Sequence, residues 1–157
     1  MNWLSRVKRA WRWTPQEWML LAEAWLVLLG ARLAIRRWQM PEILRRLQHA
    51  ARPDKNNKNK NKNKNKGPVA HEPIVRAVQR ASHLHIIPML CLPQSVALSW
   101  MLVRRGLSCD FLIGAQPKDG QLDAHAWVER DGIPINSPLD SAETHPVLLR
   151  ERIAVEL

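Results

Sequence analysis

From residue 16 to residue 38 the chain is apolar at almost every position, with Trp18, Leu20, Leu21, Trp25, Leu28 and Leu29 in one run. Apolar side chains crowding all sides of a 3.6-residue period predict a helix buried on more than one face. Its start is written in Thr14-Pro15-Gln16-Glu17. Thr14 can accept from free backbone N–H groups, Pro15 suits the first helical position, and Glu17 stands three residues on, as in a capping box. Residues 41–50, PEILRRLQHA, predict a short second helix opened by Pro41. A strict Asn-Lys alternation then runs from about Asn57 to Lys66 and closes at Gly67-Pro68. It has no apolar side chain to bury and its like charges repel, so it predicts a disordered tract.

Beyond the tract the pattern becomes that of an ordinary domain. Ile74, Val75, Val78 and Leu84 share one side of a helix from Glu72 to about Leu84, and Pro88 breaks the chain. A further helix opens at Cys91-Leu-Pro-Gln-Ser95 and ends at Gly106, with Arg104 and Arg105 at its negative end. Cys109–Ala115 has strand character, and Pro117-Lys-Asp-Gly120 is turn chemistry. Residues 124–130 alternate His125, Trp127 and Glu129 with Ala126 and Val128, Asp131-Gly132 is a hairpin turn, and Ile133–Ile135 returns as a strand. The order is helix, helix, antiparallel sheet, an α+β class.

Charge divides the chain at the same place. Residues 1–66 carry a net +12 and residues 67–157 a net −2, which together give the +10 of the whole. Six of the eight Trp lie before residue 39. The basic part suits nucleic acid, anionic lipid or an acidic peptide, and charge does not choose among them. The chain divides into a basic, Trp-rich helical extension at 1–53, the Asn/Lys tract at 54–68, and a near-neutral domain at 69–157. No uncharged 20-residue apolar run is present, which speaks against a simple membrane-spanning protein. Glu23 and Arg32 interrupt the first apolar run and no small-residue cleavage site follows it, which speaks against export. Two cysteines make no disulfide framework and suit the reducing cytoplasm.

Chemistry concentrates at Cys91 and His125. A thiol at a helix start meets the positive end of the dipole and unpaired N–H groups, which favour the nucleophilic thiolate. A histidine on a strand packed against that helix completes a Cys–His nucleophile pair. The bland reading of either residue alone is a buried thiol and a satisfied strand histidine. His83, His85, Cys91, Cys109 and His125 lack zinc spacing, so no metal or cofactor is expected.

The wording around the two residues sharpens the reading. Cys91-Leu-Pro-Gln-Ser-Val-Ala-Leu-Ser-Trp100, Arg104-Arg105-Gly106, Phe111-Leu-Ile-Gly114, Ala124-His-Ala-Trp-Val-Glu129 and Asp131-Gly-Ile-Pro-Ile-Asn136 resemble the transglutaminase-like cysteine peptidases of lasso-peptide biosynthesis, the B proteins of microcin-type clusters. The apolar helix at 16–38 is also similar to that family. The resemblance implies a papain/transglutaminase-like core, helices on a small antiparallel sheet, behind an amino-terminal helical extension. It implies a Cys–His–Asp triad that removes the leader from a ribosomally made precursor peptide. It further implies the split form, whose partners are a separate leader-recognition protein and an ATP-using lasso cyclase.

One departure stands out. The family places an Asp about twelve residues after the His, in an Asn-Asp pair, and here Asn136 is followed by Ser137. Asn136 can orient the imidazole, as an Asn does in papain-like enzymes, or Asp140 can fold back to do so. The missing carboxylate also keeps open a non-catalytic adaptor of a peptide-maturation complex. A basic nucleic-acid binder finds no base-reading motif to support it. The first helix, if not core, suits partner docking or peripheral membrane contact.

Overall fold

The computed structural model describes residues 14–52 and 70–155. The whole Asn/Lys tract and the Trp-rich residues 1–13 lie outside the described residues. Four longer helices, α1 (Pro15–Arg37), α2 (Met40–Ala51), α3 (Glu72–Leu84) and α4 (Cys91–Val103), precede β1 (Cys109–Lys118) and β2 (Gln121–Arg130). The short β3 (Ile133–Pro134), the single-turn α5 (Ser141–Thr144) and β4 (Val147–Ile153) complete the order. The strands form one antiparallel sheet in the order β3-β2-β1-β4. Helices on one small antiparallel sheet are the α+β architecture expected from the sequence.

The local signals act as their chemistry requires. Thr14 Oγ1 accepts from the Glu17 amide at 3.3 Å while Glu17 Oε2 accepts from the Thr14 amide at 2.9 Å, closing the capping box of α1. Gly106, at φ +79°, ends α4: its amide reaches Val103 O at 3.1 Å and that of Leu107 reaches Leu102 O at 3.1 Å. That pair of bonds is a Schellman motif, and its left-handed position suits a residue without Cβ. The first hairpin is tighter than its sequence suggests. Asp119 and Gly120 alone form the turn, and Pro117 sits in β1 opposite Leu122, near the exposed strand end. The strand β4 has no counterpart in the sequence reading. Its run Val147-Leu-Leu-Arg-Glu-Arg-Ile153 pairs with β1 on the side away from β2.

α1 buries Leu21, Ala24, Leu28 and Ala31, one stripe at helical spacing, and packs against α3 and α4. The expectation of burial on more than one face is corrected here. Met19 is 72% exposed, Leu26 63% and Leu33 57%, because no described element covers the outer side. Among the described helices, α1 is long and apolar enough to cross a bilayer by length and composition. Its one internal carboxylate, Glu23, is held by Arg105, with Nη1 to Oε1 at 3.1 Å and Nη2 to Oε2 at 2.5 Å. Trp25 lies between core and surface, its indole stacked on His85 with centroids 4.5 Å apart. The core is one cluster that joins Leu28 and Leu47, from the helices before the tract, to Val78, Leu98, Phe111 and Ile153 after it.

Candidate active site

Cys91 is the first residue of α4, with Leu90 as the cap, and its side chain is half-buried. The opening N–H groups of a helix have no intrahelical partner, so they face whatever approaches the thiol. Ser95, one turn further on, is fully buried and donates to Ala126 O at 2.9 Å. That bond fixes the start of α4 against β2, one residue from His125. Gln94 holds the same turn from the other side, donating to Met89 O at 2.7 Å.

The edge of β2 explains how a helix residue and a strand residue can meet. β3 pairs only with Glu129 and Arg130, and Ile135 extends the ladder with one bond to Val128 O at 3.0 Å. Beyond that point the edge of β2 is met by side chains. Asn136 Oδ1 accepts from the Val128 amide at 2.8 Å, and its Nδ2 donates to Ser95 Oγ at 3.0 Å. Ala126 and Val128 point into the helix core, whereas His125 and Trp127 share the opposite face. The first turn of α4 and the imidazole therefore flank this edge from either side. No hydrogen bond joins the Cys91 thiol to the ring in this structure.

His125 has a full set of neighbours. Its Nε2 lies 2.7 Å from Ser137 Oγ, its ring stacks on that of Trp127 with centroids 5.8 Å apart, and His145 stands tilted at 5.3 Å. Burial pushes its pKa below the usual histidine value. A charge on His145 pushes the same way, and Asp123 opposes both. Trp127 is fully buried, and its Nε1 donates to the buried Glu129 carboxylate at 2.9 Å. Glu129 is in turn paired with Arg150 Nη1 at 3.0 Å.

His145 reaches this place because of Gly114. Gly114 is the register partner of His125, and a Cβ there would lie 2.3 Å from the His145 carbonyl oxygen. The pairing of β1 with β4 shifts register between Ile113 and Gly114, and Ala115 N donates to Pro146 O at 3.2 Å. His145 Nε2 then faces Asp123 Oδ2 at 3.4 Å.

Of the two residues weighed for orienting the imidazole, Asn136 has its side chain engaged elsewhere, and Asp140 is exposed on the turn that leads into α5. The Asn136 amide braces the edge of β2 against Ser95. Asp140 precedes α5 and uses its carbonyl oxygen for Glu143 N and Thr144 N, at 3.0 and 2.9 Å. The nitrogen of His125 is met by Ser137, the residue that stands where the family pattern has its carboxylate. Cys109 is buried in β1, and burial pushes its thiol up to about 11. An apolar cavity of about 290 Å³ lies apart from all these residues, between α1, α2 and α4, with Val27, Ile43 and Trp100 on its wall.

Cys91 thus opens a helix whose first turn is bonded, through Ser95, to the strand that carries His125. The family model described as transglutaminase-like superfamily matches residues 25–149. This chain belongs to the transglutaminase-like superfamily. The match opens inside α1 and closes inside β4, so the helices before the tract fall within the transglutaminase-like region. Comparison with individual curated proteins gives no match, and comparison with solved structures gives none. In this transglutaminase-like chain, the sequence reading passes over Ser137 as an orienting group, Ser141 behind it, and the His145–Asp123 pair. The signal for Ser137 was its place in the Asn-Asp position. Nothing in local pattern pointed to His145, which arrives through the close approach at Gly114.

Proposed function

We propose that this chain is a cysteine peptidase that cuts the leader from a ribosomally made lasso-peptide precursor. The observation that supports it most is the half-buried Cys91 at the first position of α4, with that helix start bonded to β2 beside His125. Cys91 Sγ attacks the carbonyl carbon of the amide joining leader and core, and His125 takes the thiol proton. The backbone N–H of Cys91 donates to the oxyanion. The amide C–N bond then breaks, and His125 returns the proton to the leaving amine. Water attacks the thioester, loses a proton to His125, and releases the acid and the thiol. Nucleophile and proton both come from side chains, so the reading calls for no metal or cofactor. Asn136 holds the strand edge between the two residues, and Asp140 holds the turn that follows. The partners in this reading are the precursor peptide, a separate leader-recognition protein and an ATP-using cyclase, in the cytoplasm.

The test is co-expression of the chain with the precursor and its partner proteins, followed by mass spectrometry of the peptide. Cys91→Ala and His125→Ala should each leave the leader attached while the chain stays folded. More than a few per cent of cleavage by either variant would sink the reading. The open stripe of Met19, Leu26 and Leu33 on α1 favours one second reading, an adaptor that holds a partner without cutting anything. An adaptor would keep its pull-down partners and have no use for Cys91.

A further inference from the structure

Building on the proposed role of His125 as base, we infer that Ser137 and Ser141 form a one-way hydrogen-bond relay that fixes which nitrogen of His125 carries the proton. The direction follows from counting hydrogens. The Pro138 carbonyl can only accept, so Ser141 Oγ, 2.6 Å away, donates to it. A hydroxyl has one hydrogen, so Ser141 can only accept across the 2.5 Å that separates it from Ser137 Oγ. The Ser137 hydrogen is thereby used, and its oxygen offers the ring a lone pair alone. At 2.7 Å, Nε2 of His125 must be the donor. The neutral imidazole therefore keeps its hydrogen on Nε2 and its lone pair on Nδ1, the nitrogen left for the thiol.

The far end of the relay is fixed to backbone. Ser141 is buried at the start of α5, its amide donates to Pro138 O at 3.2 Å, and the His145 amide donates to Ser141 O at 2.9 Å. The same short turn thus carries the relay and delivers His145 to the other side of the ring. Ser137 is a positioning residue: it acts on substrate only through His125. A hydroxyl accepts from the ring as a carboxylate would, but it brings no charge to hold an imidazolium. The charged and titratable groups that face His125 are His145, which opposes its protonation, and Asp123, which favours it. Burial and His145 together favour the neutral ring.

The experiment is nitrogen NMR of the full chain labelled with ¹⁵N-histidine, above the pKa of the ring, with His125 assigned by its loss in His125→Gln. The unaltered protein should show hydrogen on Nε2 and a bare Nδ1. Ser141→Ala frees the Ser137 hydrogen to point at Nε2, so the population should move toward the Nδ1–H form. Ser137→Ala should move it the same way, and Ser137→Thr should not. Alkylation of Cys91 should slow roughly tenfold in both alanine variants, about the worth of one hydrogen bond, and stay near its starting rate in Ser137→Thr. A hydrogen on Nδ1 in the unaltered protein overturns the relay, as does a Ser141→Ala spectrum and alkylation rate identical to the parent. The tautomer is read without any peptide, so a failure of leader cleavage in the co-expression test leaves this result separate.

Discussion

Gly114→Ala tests the idea that a missing side chain shapes the site. The added Cβ would stand 2.3 Å from the His145 carbonyl oxygen, 3.0 Å from its carbonyl carbon and 3.0 Å from its Cβ. Non-bonded carbon contacts settle near 3.5–4.0 Å, so the 145–146 backbone must retreat by about an ångström. Two of the three close atoms are main chain, so no rotamer change relieves the contact. Overpacking of this kind costs about 1–3 kcal/mol. Removing glycine from a strand returns about 0.5–1 kcal/mol, so at the middle of the two ranges the clash wins by about 1 kcal/mol. For a domain of this size that is a fall in Tm of about 2–4 °C. Gly30→Ala is the control: it lies inside α1 with no atom within 4 Å of the new Cβ, and should raise Tm slightly. The assay is thermal unfolding followed by circular dichroism, with Cys91 alkylation measured alongside. Gly114→Ala should also slow alkylation, because His145 and the turn bearing Ser141 move together. A variant as stable as the parent, with unchanged alkylation, would refute the reasoning.

A thiol probe at neutral pH should label Cys91 and leave Cys109 untouched until the chain unfolds. With the Cys109 thiol pushed up to about 11, the thiolate is roughly one part in ten thousand at pH 7, and equal labelling of both would break the assignment. The acid limb of the activity profile should lie below the ordinary histidine value of about 6.5, because His125 stays neutral to lower pH. The same depressed pKa means that the unfolded chain binds more protons as pH falls below about 6.5, so His125 costs stability toward acid and nothing above that value. Ser137→Asp should move the limb upward, and an unmoved profile would contradict the contact with Nε2. Trp25→Ala removes a half-buried indole from the core edge and from His85, and should cost about 2–4 kcal/mol in chemical denaturation. Trp18, 48% exposed, should cost well under that when changed to Ala, and the reverse order would show that the burial of α1 is misassigned.

What could be read along the chain was what depends on near neighbours. The capping box at Thr14, the stop at Gly106 and the turns at Asp119-Gly120 and Asp131-Gly132 need only a few residues to declare themselves. The placement of Cys91 at a helix start was legible for the same reason. The orientation of His125 was not, because its partner lies twelve residues away and is a hydroxyl, a group that occurs everywhere on protein surfaces. β4 escaped because Arg150, Glu151 and Arg152 break its apolar alternation. They are there to face Asp110, Glu129 and Gln48, partners far off in the chain. The outer face of α1 misled in the opposite direction, since an apolar position by itself cannot say whether anything covers it.

The single core spanning the Asn/Lys tract makes the molecule, in effect, two half-proteins on one tether. Leu28 and Leu47 from one half close against Leu98 and Ile153 from the other, and Glu23 is bonded across the same seam to Arg105. Severing the peptide chain between residues 52 and 70 would remove none of those contacts. It would turn an intramolecular closure into a bimolecular one, with a dissociation constant and a dependence on concentration. The carboxy-terminal half would carry Cys91 and His125 yet lack the helices that complete its interior. Mixing the two halves would then rebuild the interior on which the helix of Cys91 rests.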